Sequence, residues 1–149
     1  MNPDFLDILR ALCAAEARLL IVGAYAVSVH AEPRATGDLD VWVEPTPENA
    51  ARVYEALRVF GAPLHELTID DLARPDVVFQ IGLPPRRIDI LTSITGVGFD
   101  EAWPARVEVD YGDVRVPVIG RDALVANKLA LGRPKDLLDV ELIRRLSKV

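Results

Sequence analysis

Hydrophobic residues recur along the chain with two periods, and the alternation of these periods predicts the order of helices and strands. Behind Asn2-Pro3, apolar residues return every three or four positions, which is the spacing of an amphipathic helix. From Asp38 to Val43, polar and apolar residues instead alternate, as they do in a strand with one covered face. Read in this way, the sequence predicts helices at residues 3–16, 25–31, 47–60, 68–72, 121–131 and 134–147.

The segments between these helices predict strands at residues 19–22, 38–43, 77–81, 87–91, 107–109 and 114–118. Gly82-Leu83-Pro84-Pro85 joins two of them as an antiparallel turn, and Tyr111-Gly112 joins the last two. Pro117 has no amide proton to donate, so its strand is expected at a sheet edge. The order αβαβα, followed by two hairpins and two helices, predicts an α/β (α+β) fold in which helices cover a mixed β-sheet.

The composition is that of one compact acidic domain. The chain has 149 residues, with 23 acidic against 17 basic side chains and a formal net charge of -6. Residues 1–149 are therefore expected to form a single domain, because two full domains would not fit. The negative charge disfavours proteins that coat DNA or RNA, since it repels their phosphates at long range, and leaves only a local basic patch open.

Cysteine content and apolar runs indicate the cellular setting. Cys13 is the only cysteine, so the sequence excludes an internal disulfide and a cysteine-based zinc site. The longest apolar run, Leu19 to Val29, is about half of the roughly 20 residues that cross a bilayer. The first residues include Asp4 and Asp7 and do not resemble a secretory signal. We therefore expect a cytoplasmic protein with no membrane partner.

Three aspartates are predicted to meet at one end of the sheet. Asp38 and Asp40 lie two positions apart on one strand, so their carboxylates project from the same face, with Cα atoms roughly 7 Å apart. Asp89 lies in an apolar run on another strand; if the two strands are neighbours, about 4.8 Å separates them. Each like-charged pair at about 5 Å costs on the order of 3 kcal/mol at an effective dielectric near 20. Such a cluster needs a cation or a proton to compensate it.

The chemistry of these aspartates favours a metal and a phosphorylated ligand. Oxygen ligands favour Mg²⁺ or Mn²⁺, and Mg²⁺ held by few carboxylates completes its shell with water and substrate phosphates. A nucleoside triphosphate is therefore the expected partner. Gly23 permits close backbone approach, and the helix that begins there directs amide groups at a bound anion. The alternative is structural: a solvated strand face for Asp38 and Asp40, an exposed edge for Asp89, and a strand end at Gly23.

Three cationic side chains in the C-terminal part of the chain, and two residues before the second strand, are candidate nucleotide contacts. Lys128 falls in line with Leu124 and Leu131, so its ammonium either snorkels past the core or reaches an anion. That anion is the triphosphate or a structural carboxylate such as Asp139. Further candidates for nucleotide binding, each with a surface or loop-holding role as its alternative, are Arg34, Thr36, Arg133 and Lys135.

The glycine turn and the three aspartates together resemble the active-site signature of the DNA polymerase beta-like nucleotidyltransferase superfamily. The matching residues are Gly23-Ala24, then Asp38-Leu39-Asp40 after a gap of 13 residues, and Ile88-Asp89-Ile90. A closer resemblance is to the small bacterial nucleotidyltransferase-like proteins, a branch that includes toxins of toxin–antitoxin systems. It covers nearly the whole chain and is carried by the segment from Arg34 to Asp40, by Lys128 and by Gly132-Arg133-Pro134-Lys135-Asp136.

The resemblance implies a nucleotidyltransferase fold and Mg²⁺-dependent transfer of a nucleoside monophosphate to a hydroxyl of a protein, RNA or small molecule. By position, it implies that Asp38 and Asp40 hold the metal bound to the triphosphate. Asp89 would complete a second metal site and help to activate the acceptor hydroxyl. Ala24 stands where the superfamily usually has Gly or Ser, so a serine hydroxyl for phosphate is absent. An antitoxin-like partner chain is a further expectation. The implied nucleotide contacts are Gly23, Ala24, Arg34, Thr36, Lys128, Arg133 and Lys135.

Two other functions remain open at this point. The first is a catalytically silent module of the same fold that binds a nucleotide or a partner protein, which Ala24 and the small size favour. The second is a metal-dependent phosphohydrolase or nuclease, which would cleave without nucleoside triphosphate. The three carboxylates favour the transferase. Because the chain is short, the acceptor would be recognised by a separate partner or by a shallow patch that includes Arg34, Arg86 and Arg133.

Overall fold

The computed structural model describes residues 1–33 and 37–146. Its strands are β1 (Leu19–Val22), β2 (Leu39–Val43), β3 (Val78–Ile81), β4 (Ile88–Leu91), β5 (Val107–Tyr111) and β6 (Val114–Val118). Its helices are α1 (Pro3–Ala14), α2 (Gly23–His30), α3 (Pro47–Phe60), α4 (Ile69–Leu72), α5 (Phe99–Ala102), α6 (Arg121–Leu131) and α7 (Pro134–Leu146). A 3₁₀ turn at Trp103–Ala105 follows α5. The mixed α/β architecture predicted from the sequence is confirmed.

The strands form one six-stranded mixed sheet in the order β3-β4-β2-β1-β6-β5. β2 pairs parallel to β4 and antiparallel to β1, while β1 pairs parallel to β6. The two predicted hairpins, β3-β4 and β5-β6, extend this central group on either side. The topology therefore places the strands that carry Asp40 and Asp89 next to each other.

The helices make their main contacts in two groups. α1 packs against α3 and β6, and α3 packs against α4, while α2 contacts α6 and α7. Side chains from β1 and β2 are buried between them, including Leu20, Ile21 and Trp42. Within the described residues, no helix is long and apolar enough to cross a membrane.

Local signals set most helix ends where they were expected. The Thr46 side chain accepts a hydrogen bond from the amide of Asn49 at the start of α3, and Gly61 ends that helix with a left-handed φ of 93°. α1 stops at Ala14, two residues before the predicted end, and the chain turns at Glu16 with φ 58°. The predicted end of the last helix, residue 147, lies outside the described residues.

The prediction that Pro117 lies on an edge strand is wrong. β6 lies between β1 and β5, so it has a neighbour on each side. The missing amide proton is tolerated because β6 and β1 pair only at Ile21 and Val118, one residue beyond the proline. Pro117 therefore lies on an interior strand, at a position where that strand does not pair with β1.

Candidate functional site

Two of the three aspartates face each other across neighbouring strands. Asp40 on β2 pairs in register with Asp89 on β4, and the other neighbour of Asp40 is Val22, the last residue of β1. Asp38 lies one residue before β2 begins, two positions from Asp40, which places it on the same side of the chain. The parallel register of β2 and β4 thus brings the predicted carboxylates together.

Gly23 closes this cluster from the end of β1. It is the first residue of α2 and has a φ of +68°, which L side chains rarely adopt. A Cβ atom at this position would lie 2.2 Å from Oδ2 of Asp40. Only glycine therefore allows the backbone to approach the carboxylate this closely. The group that the Gly23 backbone approaches in this structure is Asp40, and its predicted approach to a bound phosphate stays a prediction.

Arg87 neutralises part of the cluster, and the sequence reading missed it. Its Nε donates to Oδ1 of Asp89 at 2.9 Å, and its Nη2 lies 3.5 Å from Oδ2 of Asp38. The backbone amide of the same residue donates to Oδ1 of Asp38 at 3.0 Å. Its position two residues before Asp89 on a strand was the available signal, because that spacing places both side chains on one face. We call Asp38, Asp40, Asp89 and Arg87 the carboxylate edge.

The carboxylate edge holds more negative than positive charge, with three carboxylates for one guanidinium. Burial and, to a smaller extent, the negative charges of Asp89 and Asp38 together raise the pKa of Asp40 from 3.8 to about 6. Arg87 acts in the opposite direction. A carboxyl group in this setting binds either a proton or another cation more readily than an exposed aspartate does.

The donor set suits a hard divalent cation, but the side chains are not arranged around one. In the part of the chain that the structure describes, no group of three or more His, Cys, Asp or Glu side chains could hold a metal ion. Arg87 supplies a physical reason, since its guanidinium is already bonded to Asp89 and close to Asp38. The paired oxygens of Asp40 and Asp89, together with the raised pKa of Asp40, nevertheless match the chemistry that Mg²⁺ or Mn²⁺ requires. The metal assignment stays a prediction.

A cleft with a volume of about 500 Å³ lies beside the carboxylate edge, and we call it the first cleft. Six of the predicted site residues line it: Gly23, Ala24, Asp40, Lys128, Arg133 and Lys135. Five further apolar residues line it: Val22, Leu91, Ile94, Leu131 and Leu138. Asp38 and Asp89 do not line the cleft, and both contact Arg87. Arg34 and Thr36 lie outside the described residues.

The cations from α6 and α7 are largely paired with carboxylates of their own, in a cluster that we call the α6–α7 junction. Lys128 is buried, and its Nζ lies 3.1 Å from Asp139 and 3.5 Å from Asp136. Arg133 donates to Oδ2 of Asp136 at 2.6 Å. Asp136 is fully buried, and its pKa is lowered first by the hydrogen bond from Arg133 and then by the charge of Lys128.

This pairing shows that the Lys128 ammonium reaches structural carboxylates, Asp139 among them. A contact between Lys128 and a triphosphate stays a prediction. Lys135 differs, because it is exposed and no carboxylate of the described residues lies within ion-pair distance of it. Of the cations that line the first cleft, Lys135 is therefore the one whose charge is available to a ligand.

The loop after β4 contributes residues that the sequence did not mark. Ser93 and Thr95 line the first cleft, and the side chain of Asn127 donates to the carbonyl oxygen of Thr95 at 2.9 Å. This bond fastens the loop to α6 and so fixes the cleft wall between β4 and the α6–α7 junction. The only local signal in the sequence for a role of Asn127 at the cleft was its position next to Lys128.

Comparison with known proteins identifies the fold. No protein-family model matches the sequence, and no curated protein matches it. The chain is similar to the lincosamide antibiotic adenylyltransferase LnuA in its lincomycin-bound crystal structure, with a TM-score of 0.62 and 13% identity over 98% of each chain. It is also similar to TM1012 of Thermotoga maritima, which is assigned as a nucleotidyltransferase, with a TM-score of 0.57 and 15% identity over 100% of this chain and 96% of that one.

A third match is ANT(2″)-Ia in complex with adenylyl-2″-tobramycin. The TM-score is 0.60 and the identity is 16%, over 93% of this chain and 84% of that one. These likenesses show that the chain has the nucleotidyltransferase fold, as the sequence resemblance implied. They extend over nearly the full described length, so the fold assignment covers the first cleft and both of its walls.

Proposed function

We propose that this chain is a nucleotidyltransferase that moves a nucleoside monophosphate from a nucleoside triphosphate to a hydroxyl of a small molecule. The observation that carries the proposal is the in-register pair of Asp40 and Asp89, packed against a glycine that admits no side chain, beside a cleft of about 500 Å³. A structural role alone does not account for two opposed carboxylates at a cleft, because such a pair is electrostatically unfavourable.

The matching structures support a small-molecule acceptor. LnuA is a lincosamide antibiotic adenylyltransferase bound to lincomycin, and ANT(2″)-Ia is bound to an adenylylated tobramycin. Both acceptors are small molecules, and the present chain spans at least 84% of each of those chains. We therefore favour a small molecule over a protein or RNA acceptor, and over a toxin that depends on an antitoxin-like partner.

The first cleft has the chemistry of a nucleotide site. Its volume lies within the roughly 300–1,000 Å³ usual for ligand pockets. The apolar side chains of Leu131 and Leu138 offer a surface for a base, while Lys135 and the start of α2 at Gly23 and Ala24 offer positive charge and amide groups for phosphates. Lys128 and Arg133 would support this wall through Asp136 rather than by direct charge.

Asp38, Asp40 and Asp89 would hold divalent cations, Mg²⁺ or Mn²⁺. Such ions stabilise the charge on the attacking and leaving oxygens of an in-line displacement. To free the carboxylates, the guanidinium of Arg87 would move away from Asp38 and Asp89. The same guanidinium would then be available to the negatively charged phosphates of the nucleotide.

The transfer forms one bond and breaks one. The acceptor oxygen bonds to the α-phosphorus, and the bond from that phosphorus to the oxygen bridging the β-phosphate breaks. Pyrophosphate leaves with the electron pair, and the proton of the acceptor hydroxyl passes to Asp89. Asp40, opposite Asp89 in the sheet and held against Gly23, would help to hold the divalent cation to which the nucleotide's phosphates bind.

A silent nucleotide-binding module is the second candidate, and a specific observation favours it. Arg87 already contacts two of the three carboxylates and compensates one of their charges, an arrangement that suits a protein that no longer uses a metal. Ala24 offers phosphate a backbone amide but no hydroxyl. Such a module would bind nucleoside triphosphate with little dependence on divalent metal and would transfer nothing.

The test is a transfer assay with α-labelled nucleoside triphosphates, Mg²⁺ or Mn²⁺, and hydroxylated small molecules that include lincomycin and tobramycin. We expect label on an acceptor, and a loss of about a hundredfold or more in Asp89→Asn, since a few kcal/mol of transition-state stabilisation corresponds to such a factor. Asp122→Asn, an exposed aspartate on α6, is the matched control and should keep full transfer. Metal-independent nucleotide binding with no transfer to any acceptor would support the silent module instead.

A further inference from the structure

A second cleft, with a volume of about 510 Å³, lies beside the carboxylate edge and shares no lining residue with the first cleft. We call it the aromatic cleft. Its lining includes Phe5, Tyr25, Gly37, Arg86 and Tyr111. These residues come from α1, α2, β5 and the segments that precede β2 and β4, so the aromatic cleft is built from distant parts of the chain.

We propose that the aromatic cleft binds the acceptor, and that the acceptor is a small hydroxyl-bearing molecule with an aromatic or apolar face and an anionic group. This inference rests on the proposed nucleotidyl transfer, for which it names the acceptor class. Three observations carry it: the position of the cleft next to the carboxylates, the rings in its wall, and the sign of its charge.

The position follows from chain adjacency. Gly37 immediately precedes Asp38, and Arg86 immediately precedes Arg87, so each lies one Cα step of about 3.8 Å from a residue of the carboxylate edge. Tyr25 follows two residues after Gly23, the glycine that contacts Asp40. The segments that assemble the carboxylate edge thus each contribute to the aromatic cleft as well. A molecule held there would lie next to the carboxylates without entering the first cleft.

The rings form a continuous wall. Phe5 and Tyr25 meet edge to face with ring centroids 5.9 Å apart, and Tyr25 and Tyr111 do so at 6.4 Å. Phe5 is buried in the core and contacts Tyr25, which in turn contacts Tyr111. Aromatic rings give large contact areas and pack well against other rings or apolar faces. This wall therefore suits an acceptor with such a face.

The charge of the lining selects against polycations. Arg86 is the only side chain of fixed charge among the described residues that line the aromatic cleft, and no aspartate or glutamate lines it. Arg86 is exposed, and no carboxylate of the described residues lies within ion-pair distance of it. A guanidinium in that state attracts a carboxylate or phosphate and repels an ammonium group. An acceptor that carries an anionic group fits this lining, and a polycationic aminoglycoside such as tobramycin does not.

The test uses tyrosine-labelled full-length protein and nuclear magnetic resonance, without nucleotide or metal. The chain has three tyrosines, of which Tyr25 and Tyr111 line the aromatic cleft while Tyr54 lies elsewhere, on α3, and is the internal control. The probes are N-acetyltyrosine, which carries a carboxylate, N-acetyltyrosinamide, which lacks it, and tobramycin. Signals are assigned with Tyr25→Phe and Tyr111→Phe.

We expect both tyrosine probes to shift the Tyr25 and Tyr111 signals but not that of Tyr54. N-acetyltyrosine should bind about two- to fivefold more tightly than the amide, as expected for one exposed ion pair. Arg86→Gln should remove this preference, whereas Arg115→Gln, an exposed arginine on β6, should keep it. Shifts of Tyr54 as large as those of the other two rings, preferred binding of tobramycin, or a preference unaffected by Arg86→Gln would overturn the proposal.

A transfer arm separates this inference from the function on which it rests. If Mn²⁺ and nucleotide bind and label moves to another acceptor, but the probes leave both rings unshifted, the acceptor assignment is wrong and the transferase proposal stands. If N-acetyltyrosine binds at the two rings but no acceptor receives label, the transferase proposal fails and the acceptor role fails with it. If N-acetyltyrosine receives label, Arg86→Gln should raise its KM with little change in kcat.

Discussion

The carboxylate edge and the α6–α7 junction are both clusters of charged side chains near the first cleft, but they are balanced differently. The carboxylate edge sets three carboxylates against the single guanidinium of Arg87, and burial and like charge raise the pKa of Asp40 to about 6. The junction sets Lys128 and Arg133 against Asp136 and Asp139, and the pKa of Asp136 is lowered. The carboxylate edge has fewer positive than negative groups, whereas the charges of the junction balance.

This difference in charge balance indicates that the carboxylate edge is suited to bind a ligand, whereas the α6–α7 junction has a structural role. Removing one partner from a buried pair of matched charges is costly, because the other charge is left unpaired, whereas the intact pair has little to gain from a ligand. An unbalanced cluster gains from any cation that reaches it. The carboxylate edge is therefore the part of the molecule whose properties should respond to metal and pH, while the junction should respond mainly to mutation.

The largest effect is expected at the junction. Asp136→Asn would leave Lys128 and Arg133 without their shared buried partner, at a cost of about 3–5 kcal/mol in the free energy of unfolding. Urea denaturation measures this directly, with Asp122→Asn as the exposed control that should cost no more than about 0.5 kcal/mol. A loss below about 1 kcal/mol for Asp136→Asn would show that the junction does not depend on its charges.

A somewhat smaller effect is expected at Asp40. At neutral pH, Asp40→Asn should raise the free energy of unfolding, whereas Asp136→Asn should lower it. The folded carboxyl keeps its proton up to a pKa of about 6, whereas the unfolded one releases it near 3.8, so this group favours folding at low pH and the contribution is lost as pH rises through 6. Without metal, the stability of Asp40→Asn relative to wild type should improve by about 2 kcal/mol between pH 4 and pH 7.5.

Denaturation at both pH values in the presence of EDTA tests this, and the exposed variant Asp122→Asn is the control. That control should show the same stability difference from wild type at pH 4 and pH 7.5. If Asp40→Asn also shows no change with pH, Asp40 is not held in the unbalanced environment described for the carboxylate edge.

Substitution of Arg87 should have different effects on stability in the absence and in the presence of metal. Arg87→Gln removes charged hydrogen bonds to Asp38 and Asp89, which should lower stability without metal by about 2 kcal/mol. Because the competing cation is gone, Mn²⁺ should raise the Tm of Arg87→Gln by more than it raises that of wild type. A smaller Mn²⁺ shift in the variant would mean that Arg87 supports metal binding instead of competing with it.

The smallest effect is expected at Lys135, the cation of the first cleft without a carboxylate partner among the described residues. Lys135→Gln should weaken binding of nucleoside triphosphate about fivefold, near 1 kcal/mol, while stability changes by less than about 0.5 kcal/mol. Isothermal titration calorimetry measures the affinity, with the exposed Arg144→Gln on α7 as control. Equal affinity for Lys135→Gln and wild type would remove Lys135 from the nucleotide site.

Much of the fold could be predicted from local signals. The caps of α3, the glycine that starts α2 and the alternating pattern of β2 are all encoded within a few residues. The error at Pro117 arose because strand order depends on distant segments, and the short pairing of β1 with β6 leaves no mark in the sequence of either strand. The short helix α5 carries too few residues to show a period.

The candidate site was predictable as a set of residues but not as a set of contacts. The spacing of Asp38, Asp40 and Asp89 was enough to group them, since a parallel register brings equivalent positions together. That Arg87 would bond two of them, and that Lys128 would be shared by Asp136 and Asp139, depends on side-chain packing across separate elements. Sequence spacing does not determine such partners.

The central claim is that Asp40, which lines the first cleft, and its strand partner Asp89 together bind a divalent cation. Electron paramagnetic resonance titration of Mn²⁺, in the presence of a non-hydrolysable nucleoside triphosphate analogue, tests it most directly. We predict that wild type and Asp122→Asn bind Mn²⁺ with the same affinity and that Asp89→Asn weakens binding about a hundredfold or more, the loss expected when one of few charged ligands is removed. Equal Mn²⁺ binding by Asp89→Asn and wild type would contradict the claim.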